Sequence, residues 1–94
     1  MNCVYIIYSE SLDKYYIGEA IDLEERIEQH NSGFYETGYT RKSKDWILYY
    51  RIVCNSRLQA RKIETHIKKM KSKKYIQNLR KYPEITKKLI AKYK

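Results

Sequence analysis

The stretch Cys3-Val4-Tyr5-Ile6-Ile7-Tyr8-Ser9-Glu10-Ser11-Leu12-Asp13-Lys14-Tyr15-Tyr16-Ile17-Gly18 decides the fold. Two short β-branched and aromatic runs, Cys3–Tyr8 and Lys14–Gly18, flank a polar segment, which predicts an antiparallel hairpin. If Tyr8 and Asp13 flank a four-residue turn, Tyr5 lies directly opposite Tyr16. Facing residues share one side of a sheet, so the two phenols project together. A slip of one residue would send them to opposite faces.

Working outward, Ile21–His30 reads as a helix with Leu23 and Ile27 facing inward. Asp22, Glu24 and Glu25 sit in its first turns, where negative charge suits the helix dipole. Arg26 and His30 are four apart and share one edge of that helix. Asn31-Ser32-Gly33 is a C-terminal stop. Residues 34–45 read as a polar loop. Trp46–Val53, nearly continuously apolar, reads as the central or best-covered strand. Ser56 is a candidate N-cap for a helix to about Met70, with Ala60, Ile63, Ile67 and Met70 as its buried stripe. Ser72 could cap a short helix to about Lys81 carrying Ile76 and Leu79. Pro83 suits the first turn of a last helix with Ile85, Leu89 and Ile90. The expected fold class is α+β, a small three-stranded, mainly antiparallel sheet flanked by helices in the order β-β-α-β-α-α-α. Ninety-four residues are expected to make a single domain, 1–94.

The net charge of +9 is unevenly spread. Residues 1–56 carry 6 Lys/Arg against 9 Asp/Glu, whereas residues 57–94 carry 14 against 2. A basic half of that density points to a polyanion, most often nucleic acid, with a solvated helical surface as the alternative. No run of about 18 apolar residues exists to span a membrane. No basic n-region with an apolar stretch follows Met1, so a cytoplasmic protein is expected. Cys3 and Cys54 are too few for a disulfide framework or zinc knuckle and read as buried thiols. No membrane partner or small-molecule cofactor is expected.

Tyr5, Tyr16-Ile17-Gly18, Arg26, His30 and, far downstream, Glu64 form an ordered set. In that set the chain resembles the GIY-YIG nucleases. Cys3-Val4-Tyr5 stands for the family's first triplet, Tyr16-Ile17-Gly18 for the second, and Arg26 and His30 match the arginine and histidine of the first helix. Glu64 matches the metal-binding glutamate. Asn78 resembles an asparagine that some members place near the phosphate. The resemblance runs from residue 4 to 79, leaving 82–94 as an additional helix. It is closest to small stand-alone bacterial members, similar to the excinuclease C N-terminal domain. Gln29-His30-Asn31-Ser32-Gly33 and the run from Ile67 to Ile76 carry that likeness. Two departures are visible. Cys3 replaces the first glycine, at a structural position, and Glu19 stands where several members carry a lysine near the attacking water. The resemblance implies an endonuclease using one Mg²⁺ or Mn²⁺ ion per active site, acting on DNA in preference to RNA, in repair or recombination.

Elementary chemistry supports the same roles. Phosphodiester hydrolysis needs an activated water, charge compensation on the phosphate and help for the departing alkoxide. Glu64 is a hard oxygen ligand of the kind Mg²⁺ takes singly, although a salt bridge to Lys68 would also satisfy it. Arg26 offers a planar fork for phosphate, or an ion pair with an acidic neighbour. His30 could take a proton from a tyrosine, bond the phosphate, or merely cap its helix. Tyr5 is the candidate base, exchangeable with Tyr16; a phenol with a pKa of about 10 needs a nearby cation for that task. Gly18 permits close approach of backbone or phosphate. Lys68, Lys69, Lys71, Lys73 and Lys74 are the densest candidate phosphate contacts, with Thr40 and Arg41 in the loop as further ones. The rival reading is a catalytically silent nucleic-acid-binding module, for which Glu19 and the missing first glycine speak. No element for sequence-specific recognition is visible, so little intrinsic sequence specificity is expected.

Overall fold

The computed structural model describes residues 1–34 and 38–94. Among these the chain forms β1 (Cys3–Ser9), β2 (Lys14–Ala20), α1 (Leu23–Ser32), β3 (Trp46–Val53), α2 (Arg57–Met70), α3 (Lys73–Lys81) and α4 (Pro83–Lys92), with a 3₁₀ helix at Tyr39–Lys42. This is the expected α+β order. The predicted loop 34–45 includes residues 35–37, which lie outside the described residues.

The helix ends follow local chemistry. Asp22, Ser56 and Ser72 each accept a backbone N–H three residues ahead, and Pro83 opens α4. Each such cap stabilises its helix by about 1 kcal/mol. Gly33 closes α1 in the left-handed conformation, φ +80°.

All pairing is antiparallel, in the order β2-β1-β3. The central strand is therefore β1, buried from Cys3 to Ile7 on both faces, and not β3 as its apolar run suggested. At the edge, β3 leaves Ile47 60% exposed. It is also bulged: Ile6 pairs with Tyr50 but Ile7 with Leu48, so Tyr49 is an extra residue. The bulge reverses the alternation of the strand. Ile52 joins one sheet face with Val4 and Ile6, whereas Trp46 joins the other with Tyr5 and Ile7.

The hairpin register also differs from the expectation. Ser9 and Lys14 flank the turn, so Tyr5 pairs with Gly18 and Tyr16 with Ile7. Asp13 makes this possible by taking φ +50°, which a short polar side chain tolerates. The Tyr8 hydroxyl donates to Asp13 Oδ1 at 2.7 Å, while Ser9 Oγ accepts the Leu12 N–H. Relative to the expectation each strand moves by one residue, which preserves parity. Tyr5 and Tyr16 therefore remain on one face, as diagonal rather than direct neighbours.

One face packs on α2, α3 and α4 through Ile63, Ile67, Ile76, Leu79 and Leu89. The other packs on α1 through Leu23 and Ile27. Met70, expected in the buried stripe of α2, is exposed; it sits in the last turn, at the mouth of a groove between α2 and α4. Cys3 and Cys54 are buried free thiols whose pKa values burial pushes up, as inert cysteines require.

Candidate active site

Tyr5 is 1% exposed and its ring crosses the backbone of Gly18 on the neighbouring strand. A Cβ at Gly18 would stand 2.5 Å from Tyr5 Cζ and 2.8 Å from Cε1. Glycine is demanded there by this close approach. The Tyr5 hydroxyl is 2.8 Å from His30 Nε2, and His30 Nδ1 is 2.8 Å from Thr40 Oγ1. Burial, reinforced by the positive charge of Arg26, lowers the His30 pKa to about 4, so the imidazole is neutral at pH 7. A neutral imidazole has one donor and one acceptor nitrogen. Either Tyr5 donates to Nε2 while Nδ1–H donates to Thr40, or both bonds run the other way. Tyr5, His30 and Thr40 thus form a proton wire with two directions.

Thr40 was expected to touch nucleic acid from a loop. It is instead buried, with its hydroxyl turned to His30. Trp46 holds it there, because the indole N–H donates to the Thr40 carbonyl at 2.8 Å. Asn31 fixes Trp46 in turn: its side chain donates to the Trp46 carbonyl and accepts the Trp46 N–H, both at 2.8 Å. The Asn-Ser-Gly segment read as a helix stop therefore also ties α1 to β3. No signal in the sequence connects Asn31, Trp46 and Thr40, which meet only through the bulge in β3.

Tyr16 is half-buried at the outer strand, its ring centroid 6.4 Å from that of Tyr5 and 5.1 Å from that of His30. Glu64 belongs to α2, on the other side of the sheet, yet the two layers meet at this open edge. Lys68 makes the connection: its Nζ lies 2.8 Å from Glu64 Oε2 and 6.0 Å from the Tyr16 ring centroid. The i,i+4 salt bridge read as the alternative for Glu64 is therefore formed, and the same ammonium lies over the Tyr16 ring. Among the described residues no three His, Cys, Asp or Glu side chains cluster as a metal cage. The donor chemistry on offer is one hard carboxylate, whose side chain is 17% exposed. That suits Mg²⁺, which keeps several waters and takes substrate oxygens as other ligands.

Arg26 donates from Nη1 to the Glu19 carbonyl at 3.4 Å. The Glu19 carboxylate pairs with Arg57 Nε at 3.5 Å. Both guanidinium groups line one open cleft of 360 Å³, together with Glu19, Asp22 and Glu25. Arg57 is a residue that sequence reasoning missed; its position at the start of α2 gave no hint that the helix begins beside β2.

The GIY-YIG catalytic domain family model matches residues 1–79. The chain belongs to the GIY-YIG family. A UPF0213 protein from Syntrophus aciditrophicus (strain SB) is 34% identical over 84 residues, covering 88% of this chain and 94% of that protein. No solved structure matches the chain. GIY-YIG domains are in general nuclease domains that depend on a divalent metal and act on nucleic acid. The match ends within α3, so α4 lies beyond it.

The other candidate positions of this GIY-YIG chain are spread out. Asn78 is half-buried on α3, and among the described residues no hydrogen bond or ion pair links its side chain to Glu64 or Tyr16. Arg41 is exposed on the 3₁₀ helix. Lys69, Lys71 and Lys74 are exposed, while Lys73 reaches back to Asp13, bonding its carbonyl at 2.9 Å and its carboxylate at 3.2 Å. Among the described residues no helix is long and apolar enough to cross a membrane.

Proposed function

We propose that this chain is one GIY-YIG nuclease domain over residues 1–94, an endonuclease that hydrolyses DNA phosphodiester bonds with one divalent ion and little intrinsic sequence specificity. The observation that carries the reading is the meeting, at the β2 edge, of the Tyr5–His30–Thr40 hydrogen-bonded chain with Tyr16, Lys68 and Glu64. A binding surface has no use for a buried neutral histidine bonded to a phenol.

Tyr16, half-buried on the outer strand, is the phenol that meets the attacking water. Tyr5 is buried and its hydroxyl is committed to His30, so it acts from behind, accepting or passing a proton along the wire. His30, buried and neutral, makes no contact with phosphate. It keeps Tyr5 oriented and offers the wire its acceptor nitrogen. Arg26 supplies the fork that compensates charge on the phosphate, and its bond to the Glu19 carbonyl aims it. Glu64 would hold Mg²⁺ or Mn²⁺, with Lys68 yielding its place on the carboxylate. When bound, the ion polarises the phosphate and stabilises the leaving oxygen. Lys69, Lys71, Lys74 and Arg41 contact backbone phosphates outside the reacting centre.

A supercoiled-plasmid assay tests this. Nicking and linear product are expected with Mg²⁺ or Mn²⁺ and none with EDTA. Salt-dependent DNA binding without cleavage in either metal would instead support the silent binding module.

A further inference from the structure

A groove of 450 Å³, lined by neither Tyr5 nor Tyr16, runs between α2 and Tyr93 at the end of α4. Arg61, Lys62 and Lys69 line it, with Met70, His66 and Tyr93 as its less polar wall, and none of its lining residues is acidic. The wall is built, because His66 Nδ1 and the Tyr93 hydroxyl are hydrogen-bonded at 2.8 Å and their rings meet edge to face at 5.6 Å. Lys92 adds a fourth cation, with its Nζ 5.4 Å from the Tyr93 ring centroid. The buried Leu89 fixes α4 in place, and the Gln59 amide donates to the Ile90 carbonyl at 3.3 Å.

The contrast with the Arg26–Arg57 cleft is informative. There Arg26 and Arg57 share the walls with Glu19, Asp22 and Glu25, so the cleft offers aimed guanidinium groups but no excess positive charge. Two of the five lysines picked out by sequence density, Lys68 and Lys73, are paired with Glu64 and Asp13. In the groove beside α2, by contrast, Arg61, Lys62 and Lys69 share the lining with no carboxylate.

We propose that this groove is a second, non-catalytic site that takes the sugar–phosphate backbone of one strand of the nucleic-acid substrate, with α4, beyond the matched family region, forming its far wall. A cationic trough with an aromatic side is the arrangement that tracks a polynucleotide strand. From Arg61 to Lys69 the helix rises about 12 Å, the span of roughly three phosphates along one strand. Arg61 also precedes Glu64 by three positions, so the groove opens within one helical turn of the proposed metal carboxylate. A strand lying in it therefore continues around α2 toward the reacting centre. This inference rests on the nuclease reading for the identity of the polyanion, but it can fail separately.

The test is fluorescence anisotropy of a labelled duplex in EDTA, over a series of salt concentrations, with wild type and the triple variant Arg61→Gln/Lys62→Gln/Lys69→Gln. All three positions are exposed and glutamine is a good helix former, so melting should be unchanged. A control variant, Lys44→Gln/Lys81→Gln/Lys87→Gln, removes the same charge from exposed positions elsewhere. The groove variant should flatten the plot of log affinity against log salt by about 2.7 if each cation takes one phosphate. Each single groove variant should flatten it by about 0.9, and the control by much less. An unchanged slope in the groove variant, or an equal change in the control, overturns the groove site even if wild type cuts DNA. A wild type that binds no nucleic acid overturns the groove and the nuclease reading together. Binding of anionic lipid vesicles in preference to DNA, lost in the groove variant, would make the groove a membrane contact and refute the assignment.

Discussion

The neutral, buried His30 makes a quantitative prediction about stability against pH. Its pKa is about 4 in the folded protein against an ordinary 6.5. A folded-state pKa below the unfolded one means that the unfolded chain binds more protons between these values. Stability is then fully present above about pH 6.5 and is lost as pH falls toward 4. At pH 5 the unfolded imidazole is nearly all protonated and the folded one only about a tenth, so the single site costs about 2 kcal/mol relative to pH 8. With the residue only 4% exposed, little solvent screening reduces that figure. The assay is urea unfolding at pH 8 and pH 5 for wild type and for His30→Gln, which retains a donor and an acceptor but does not titrate. Acidification raises the net positive charge of both proteins alike, and His66 titrates in both, so the comparison isolates His30. The wild type should lose about 2 kcal/mol more than the variant over this interval. Equal losses, or an NMR titration placing His30 near pH 6.5, would refute the buried wire from Tyr5 through His30 to Thr40.

Replacing Glu64 with Gln should abolish metal-dependent nicking while shifting stability by less than about 1 kcal/mol, since its partner Lys68 is half exposed and solvent screens the pair; undiminished nicking would sink the single-carboxylate metal site. Arg26→Ala should lower kcat far more than it weakens DNA binding, and Arg26→Lys should rescue only part of the loss, because an ammonium lacks the planar fork. Full activity in the lysine variant would reduce Arg26 to a point charge. Gly18→Ala should destabilise the fold by about 1–3 kcal/mol in thermal melts, because the new Cβ drives into the Tyr5 ring. The same change made on top of Tyr5→Leu should cost much less, and an equal cost in both backgrounds would deny the contact.

The amino-acid order determined whatever depends on a few neighbouring residues. Asp22, Ser56 and Ser72 cap their helices because the acceptor and the N–H it takes are three residues apart. The apolar spacing of Ala60, Ile63 and Ile67 fixed the buried side of α2, and the period of two put Tyr5 and Tyr16 on one face. The hairpin register needed more, since the left-handed Asp13 and the Ser9–Leu12 bond choose among turns that the sequence alone permits. Trp46, Tyr50 and Ile52 alternate as if for a single face, and only pairing with β1 reveals that the bulge at Tyr49 turns Trp46 over to hold Thr40 against His30. Strand order was equally hidden, because the apolar run of β3 is compatible with a centre or an edge until β1 takes both partners. Likewise Glu64 and Tyr16 are 48 positions apart and belong to different elements, and Lys68 links them because α2 packs beside β2. Capping and periodicity act within one or two turns of chain, whereas register, strand order and the site's assembly come from contacts between distant segments, whose free energies exist only once the whole sheet is packed.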